Sequence, residues 1–127
     1  MLDNFLLKGC GTALVTPFLN GAVDYEAYRL MVKRQIDRGI DFLVPLGSTA
    51  ETPCLVDDEK KKIVTITKEL CEGRPIVVGC GTNSLNSTIA NIKMLEPFGP
   101  DAFLVVVPYY NKPTQAGLYE YFKAVAE

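Results

Sequence analysis

Four short apolar runs punctuate the chain, at about Gly11–Thr16, Phe42–Leu46, Pro75–Val78 and Ala102–Val107. Each has the length of an ordinary strand, is rich in Val, Leu, Ile or Phe, and is bounded by Gly or Pro. Polar residues barely alternate within them, which predicts parallel strands covered on both faces. Between the runs, apolar positions recur at helical spacing. Asp24 is placed to cap a helix to about Arg38, with Tyr25, Tyr28, Val32 and Ile36 on one face and Gly39 as the stop. A second helix spans about Asp57–Cys71, with Ile63, Ile66 and Leu70 inward and Gly73 beyond its end. Its first turn carries Asp57, Asp58 and Glu59, which complement the helix dipole. A third runs from about Leu85 to Glu96 behind Ser84, with Ile89, Ile92 and Leu95 inward. A fourth follows Thr114, with Leu118, Phe122 and Val125 inward.

The element order is therefore βαβαβαβα, with strand starts about 30 residues apart. Right-handed crossovers make such a sheet parallel. No linker, low-complexity tract or composition break interrupts the series, so residues 1–127 read as one α/β domain. Every strand leads at its carboxyl end into a polar or Gly/Pro-rich motif: Val15-Thr16-Pro17, Gly47-Ser48-Thr49-Ala50-Glu51, Gly79-Cys80-Gly81-Thr82-Asn83-Ser84 and Pro108-Tyr109-Tyr110-Asn111-Lys112-Pro113-Thr114. Parallel α/β proteins bind ligands outside those ends, so the four motifs converge on one face. A closed (βα)8 barrel and an open doubly wound sheet both accommodate the pattern. A complete barrel takes about 250 residues, twice what is present.

Composition narrows the chemistry. The 127 residues are 48% hydrophobic and 22% charged with net charge −2, which fits a soluble domain and leaves no basic footprint for nucleic acid or an acidic membrane surface. No apolar run approaches the ~20 residues that span a bilayer. The start, MLDNFLLKG, has an early Asp3 and no long apolar segment, and reads as no signal peptide. The absence of histidine excludes Ser-His-Asp and Cys-His hydrolase triads and His-based metal sites. Cys10, Cys54, Cys71 and Cys80 match no zinc spacing and read as buried or half-buried free thiols of a reducing cytoplasm. No metal and no cofactor is called for.

The motifs taken singly leave alternatives open. Gly47-Ser48-Thr49 can offer two hydroxyls and backbone N–H groups to a small carboxylate or phosphate, or serve as an ordinary turn. Gly79-Cys80-Gly81-Thr82 lacks the third glycine of a dinucleotide fingerprint and the lysine of a P-loop, and reads as a tight strand-to-helix turn. Of Tyr109 and Tyr110, at least one ring should lie over the sheet end, where a phenol can relay a proton or cap the core. Glu51 reads as a cap for nearby backbone N–H groups, and Lys112 as a solvated amine.

Together, GTALVTPF, GSTAETP, GTNS and VVVPYYNKPTQAGLYEYFKAVAE resemble the N-terminal half of the dihydrodipicolinate synthase family across the whole chain. That family belongs with the pyruvate-dependent class I aldolases, which include N-acetylneuraminate lyase. The resemblance implies half of a (βα)8 TIM barrel, a parallel (βα)4 unit, from a cytoplasmic homotetramer. It implies condensation of pyruvate with aspartate-β-semialdehyde on the diaminopimelate route to lysine, through a lysine Schiff base whose enamine is the nucleophile. By resemblance Thr49 holds the pyruvate carboxylate, Ser48 passes a proton between two tyrosines, and Tyr110 is the relay tyrosine that reaches a neighbouring subunit. Thr52, Asn83 and Tyr109 match positions of a lysine effector site. Ser87 stands where an acidic contact is usual, which argues against feedback inhibition. Two departures concern the site loop, where Ser48 and Ala50 replace the Thr and Gly of the usual GTTGE. Serine there is usual in the lyase branch.

The same resemblance places the Schiff-base lysine on the sixth strand and the second relay tyrosine on the fifth. None of Lys8, Lys33, Lys60, Lys61, Lys62, Lys68, Lys93, Lys112 or Lys123 falls in the matching place. The expectation is that these 127 residues alone have no synthase activity. The alternative is a non-catalytic half-barrel whose exposed edges make it self-associate.

Overall fold

The computed structural model describes residues 7–127; most of the MLDNFLLKG segment lies outside the described residues. Four parallel strands lie side by side in chain order. They are β1 (Gly11–Ala13), β4 (Phe42–Val44), β5 (Val77–Gly79) and β6 (Ala102–Leu104), with β2 (Phe18–Leu19) and β3 (Ala22–Val23) forming a small antiparallel hairpin after β1. Gly11 pairs with Phe42 and Val77 with Ala102, and a bridge between Leu43 and Ile76 joins the two pairs. Each strand is followed, after its loop, by a helix: α1 (Tyr25–Asp37), α2 (Asp57–Leu70), α3 (Leu85–Leu95) and α4 (Gln115–Ala126).

The helix starts follow local chemistry. Asp24, Ser84 and Thr114 each turn a side-chain oxygen onto an N–H of the first turn, at 2.9 Å from Ala27, 3.4 Å from Ser87 and 3.1 Å from Gly117. Val56 has no oxygen to offer α2, and Glu59 reaches back to its N–H at 2.9 Å instead. At the far end of α1, the Arg74 guanidinium donates to the Ile40 carbonyl at 2.7 Å and to that of Ile36 at 3.4 Å.

The core lies between the strands and the helices. Leu14, Leu43, Ile76 and Val78 meet Tyr28, Val32, Ile63, Val64 and Ile66, all at most 1% exposed. Tyr25 is half-buried at the margin, where the Lys62 ammonium stands 3.8 Å from its ring centre.

The structure departs from the sequence pattern in four ways. The regular strands are three residues each; β4 stops where Pro45 follows it and Leu46 turns into the left-handed region. The hairpin was not anticipated, although Asn20-Gly21 at its tip, both with positive φ, is a standard signal for a tight turn. The sheet face away from the helices is only partly covered: Val15, Leu104 and Val106 are 44–47% exposed, against the expectation of burial on both faces. On α4 the buried residue is Tyr121, while Phe122, expected inward, is 38% exposed and meets the Tyr121 ring edge-on at 5.2 Å.

Candidate functional site

The carboxyl ends of β4, β5 and β6 border a cavity of about 340 Å³, lined by residues that include Leu46, Gly47, Ser48, Thr52, Cys80 and Tyr109. Its shape depends on two glycines. A Cβ on Gly79 would stand 1.9 Å from the Leu46 carbonyl oxygen, and one on Gly81 would stand 2.4 Å from the Val106 nitrogen. Hydrogen bonds hold the neighbours at this distance: Gly79 N–H donates to Pro45 at 2.9 Å and Cys80 N–H to Leu104 at 3.1 Å. The expected tight turn at Gly79–Thr82 does not form: Cys80 and Gly81 run on beside β6, the chain bends only at Asn83-Ser84, and the two glycines let three strand ends crowd together there.

The β4 loop is a pair of short 3-10 turns, Ser48–Ala50 and Thr52–Cys54, joined at Glu51. Left-handed residues bracket the first turn, Leu46 at φ 59° and Glu51 at φ 54°. Each such non-glycine residue costs about 1–3 kcal/mol, so the surroundings must enforce the shape. Thr52 contributes by donating its hydroxyl to the Gly47 carbonyl at 3.0 Å. The Glu51 side chain caps nothing, contrary to expectation; its backbone conformation is what joins the turns. Ala50 is 1% exposed, so its methyl group is part of the packing beneath the loop.

Ser48, Thr52 and Tyr109 are thus brought to one cavity. Thr49 is exposed in the same turn, and Asn83 is half-buried in the Gly81–Ser84 loop, but neither lines the cavity. Tyr110 is 93% exposed at φ 68°, so its ring is held away from its own chain. Lys112 is exposed, as expected, at φ 30°. No lysine lines the cavity.

The sequence reading missed Cys80 as a lining residue. Its thiol points to the Leu104 carbonyl at 3.8 Å, and burial pushes its pKa up to about 12, which leaves it a poor nucleophile. The Gly-Cys-Gly spacing at a strand end was the available signal. Cys71 is also buried, whereas Cys10 and Cys54 are exposed, correcting the expectation that all four are covered. Cys10 precedes β1, and Cys54 sits in a surface turn. Among the described residues no group of acidic, Cys or His side chains is placed to hold a metal ion, and no helix is long and apolar enough to cross a membrane.

Residues 6–127 match the model of the dihydrodipicolinate synthetase family. The chain belongs to that family. It is 47% identical over 123 residues to the 4-hydroxy-tetrahydrodipicolinate synthase of Thermotoga neapolitana, covering 96% of this chain and 42% of that protein. The dihydrodipicolinate synthase structure from Thermotoga maritima superimposes with a TM-score of 0.92 at 45% identity, over 96% of this chain and 42% of that one. The chloride-inhibited dihydrodipicolinate synthase from Acinetobacter baumannii, complexed with pyruvate, gives 0.91 at 36% identity, over 95% and 42%. The chain therefore spans about two fifths of the relatives' length. The parallel βα units are the N-terminal half of the barrel of dihydrodipicolinate synthases, as the resemblance implied.

Proposed function

We propose that these residues form the pyruvate-facing half of a 4-hydroxy-tetrahydrodipicolinate synthase site, which condenses pyruvate with aspartate-β-semialdehyde. The observation that carries this reading is the cavity at the strand ends, with Ser48 on its wall and Thr49 in the same strained turn. Thr49 offers its hydroxyl and backbone N–H to the substrate carboxylate. Ser48 passes a proton along a chain of hydroxyls, and Tyr110, projecting away from its own subunit, belongs to the relay of a neighbour. Thr52, Asn83 and Tyr109 form the adjoining effector lip, with Ser87 offering no charge to an effector amine. The assembly is a homo-oligomer, a tetramer as in the resemblance, in the cytoplasm.

The amine that attacks pyruvate is supplied from outside these 127 residues. It adds to the ketone and expels water, leaving an imine that borohydride reduces to a stable secondary amine. The test is intact-mass analysis after borohydride treatment with pyruvate. The expected result is an unmodified 127-residue chain, and an adduct when the second half of a family barrel is supplied as a separate polypeptide. An adduct on the 127-residue chain alone would overturn the assignment of the amine. No adduct with both halves present and associated would overturn the function.

A second reading rests on the exposed sheet face of Val15, Leu104 and Val106. Apolar surface of this kind drives association, so the alternative is a non-catalytic half-barrel that pairs with itself. Light scattering decides: a stable monomer at micromolar concentration excludes it.

A further inference from the structure

We propose that Tyr121 is a positioning residue that makes the Gly81–Ser84 loop and the Tyr109–Thr114 lip one mechanical unit. Its hydroxyl donates to the Thr82 carbonyl at 3.0 Å and lies 2.9 Å from Thr88 Oγ1. With the Tyr121 proton committed to Thr82, Thr88 is the donor in that second bond. Thr88 Oγ1 in turn accepts from the Thr82 N–H at 2.9 Å. The three bonds form a closed ring that begins and ends on the Thr82 main chain, with Thr88 completely buried and Tyr121 7% exposed. Thr82 extends the ring into the loop, since its own hydroxyl donates to the Ser84 carbonyl at 2.9 Å and accepts from the Ser84 N–H at 3.0 Å. Asn83 is held between these two residues.

The same tyrosine anchors the other lip. It lies on α4, which starts at Gln115 directly after the segment bearing Tyr109 and Tyr110. Thr114 caps that helix, and Gly117 lets Pro113 close on its first turn, where an added Cβ would stand 3.3 Å from the proline ring. A movement of α4 thus shifts both the strained lip and the Gly81–Ser84 loop, and the Tyr121–Thr88 bond at the centre of the ring is buried. The consequence for Tyr110 as a relay rests on the proposed function. The coupling itself does not.

The test uses the 127-residue chain labelled with 3-fluorotyrosine, read by 19F NMR and by amide hydrogen exchange. Tyr121→Phe keeps the aromatic ring and removes the hydroxyl. The Tyr109 and Tyr110 resonances should move, and exchange across 81–84 and 109–114 should speed up about tenfold, while α1 and α2 stay unchanged. Unmoved Tyr109 and Tyr110 signals, or loosening spread evenly over all four helices, would overturn the proposal. Thr88→Val and Thr88→Ser provide the same test should Tyr121→Phe not fold. Valine should reproduce both changes and serine should restore the parent pattern; identical behaviour of the two overturns it. Neither readout requires turnover, so failure of the synthase reading and failure of this coupling are separately visible.

Discussion

Tyr28 on α1 meets Thr67 on α2 at 2.8 Å, and Thr88 on α3 meets Tyr121 on α4 at 2.9 Å. The two helix pairs thus carry the same buried clasp in different surroundings. Around Tyr28 the packing is complete, with Val32, Ile63, Val64 and Ile66 at most 1% exposed. Thr67 passes its own proton to the Ile63 carbonyl at 2.7 Å, one turn back on the same helix. In the α3–α4 pair the packing is thinner: Ile89 and Ile92 are half-buried, and Phe122 is exposed. There the phenol reaches a loop carbonyl instead. One clasp closes a core, while the other holds site loops, and the first half should dominate stability while the second governs the shape of the lip.

The strongest challenge to this contrast is to empty each half in turn. Leu43→Ala, at a completely buried position, should cost about 2–5 kcal/mol in denaturant unfolding, against about 1 kcal/mol for Ile92→Ala. Equal losses would show that the two halves are equally packed. At the junction between the halves, Gly79→Ala places a methyl group against the Leu46 carbonyl and should cost about 3 kcal/mol. Gly47→Ala, with no neighbour closer than 4.0 Å and an extended backbone, should stay within about 0.5 kcal/mol. Both are measured by the midpoint of urea unfolding.

The clasps give a smaller effect. Tyr28→Phe and Tyr121→Phe should each lose about 1–2 kcal/mol, with Tyr121→Phe at the upper end because it takes the donor from the Thr82 carbonyl as well as a partner from Thr88. The reverse order by thermal melting would place the more important hydroxyl in the first half. A pH effect in the second half comes from Cys80. Burial raises the Cys80 thiol to about 12, so the unfolded chain loses this proton at lower pH than the folded one. Its contribution is complete below pH 9, the ordinary thiol value, and declines as pH rises towards 12. Cys80→Ala should flatten that part of the stability curve. At pH 8, iodoacetamide should label Cys10 and Cys54 in the folded chain and all four cysteines only after unfolding.

The sequence legibly reported the repeat. Asp24, Ser84 and Thr114 are residue types favoured as caps directly before an apolar helical pattern, and the helices they open begin within a residue of the expected positions. The strand ends were less legible, because the apolar runs continue past the last ladder-paired residues, as at Val15 and Val105–Val107. Asn20-Gly21 carried the hairpin signal, but two-residue strands have no hydrophobic period to detect. In the site, Ser48 and Tyr109 stood out as polar residues at strand ends, and Thr52 came only through the family resemblance. Cys80 and Val106 did not, since an apolar lining residue looks like any other core residue until the neighbouring strand is in place.

By itself, then, the amino-acid order determined the alternating elements, their parallel arrangement and the face on which the loops gather. Those properties follow from short-range forces: hydrophobic period, caps and the handedness of crossovers. The tertiary structure alone decided which glycine admits a neighbouring carbonyl and that one face of the sheet stays open. It also decided that Tyr121, rather than Phe122, turns inward. At helical spacing the two rings are adjacent candidates, and only Tyr121 brings a hydroxyl to the buried Thr82 carbonyl and Thr88. A polar bond formed across 39 residues and another across 33 resolved what the hydrophobic pattern left equivalent.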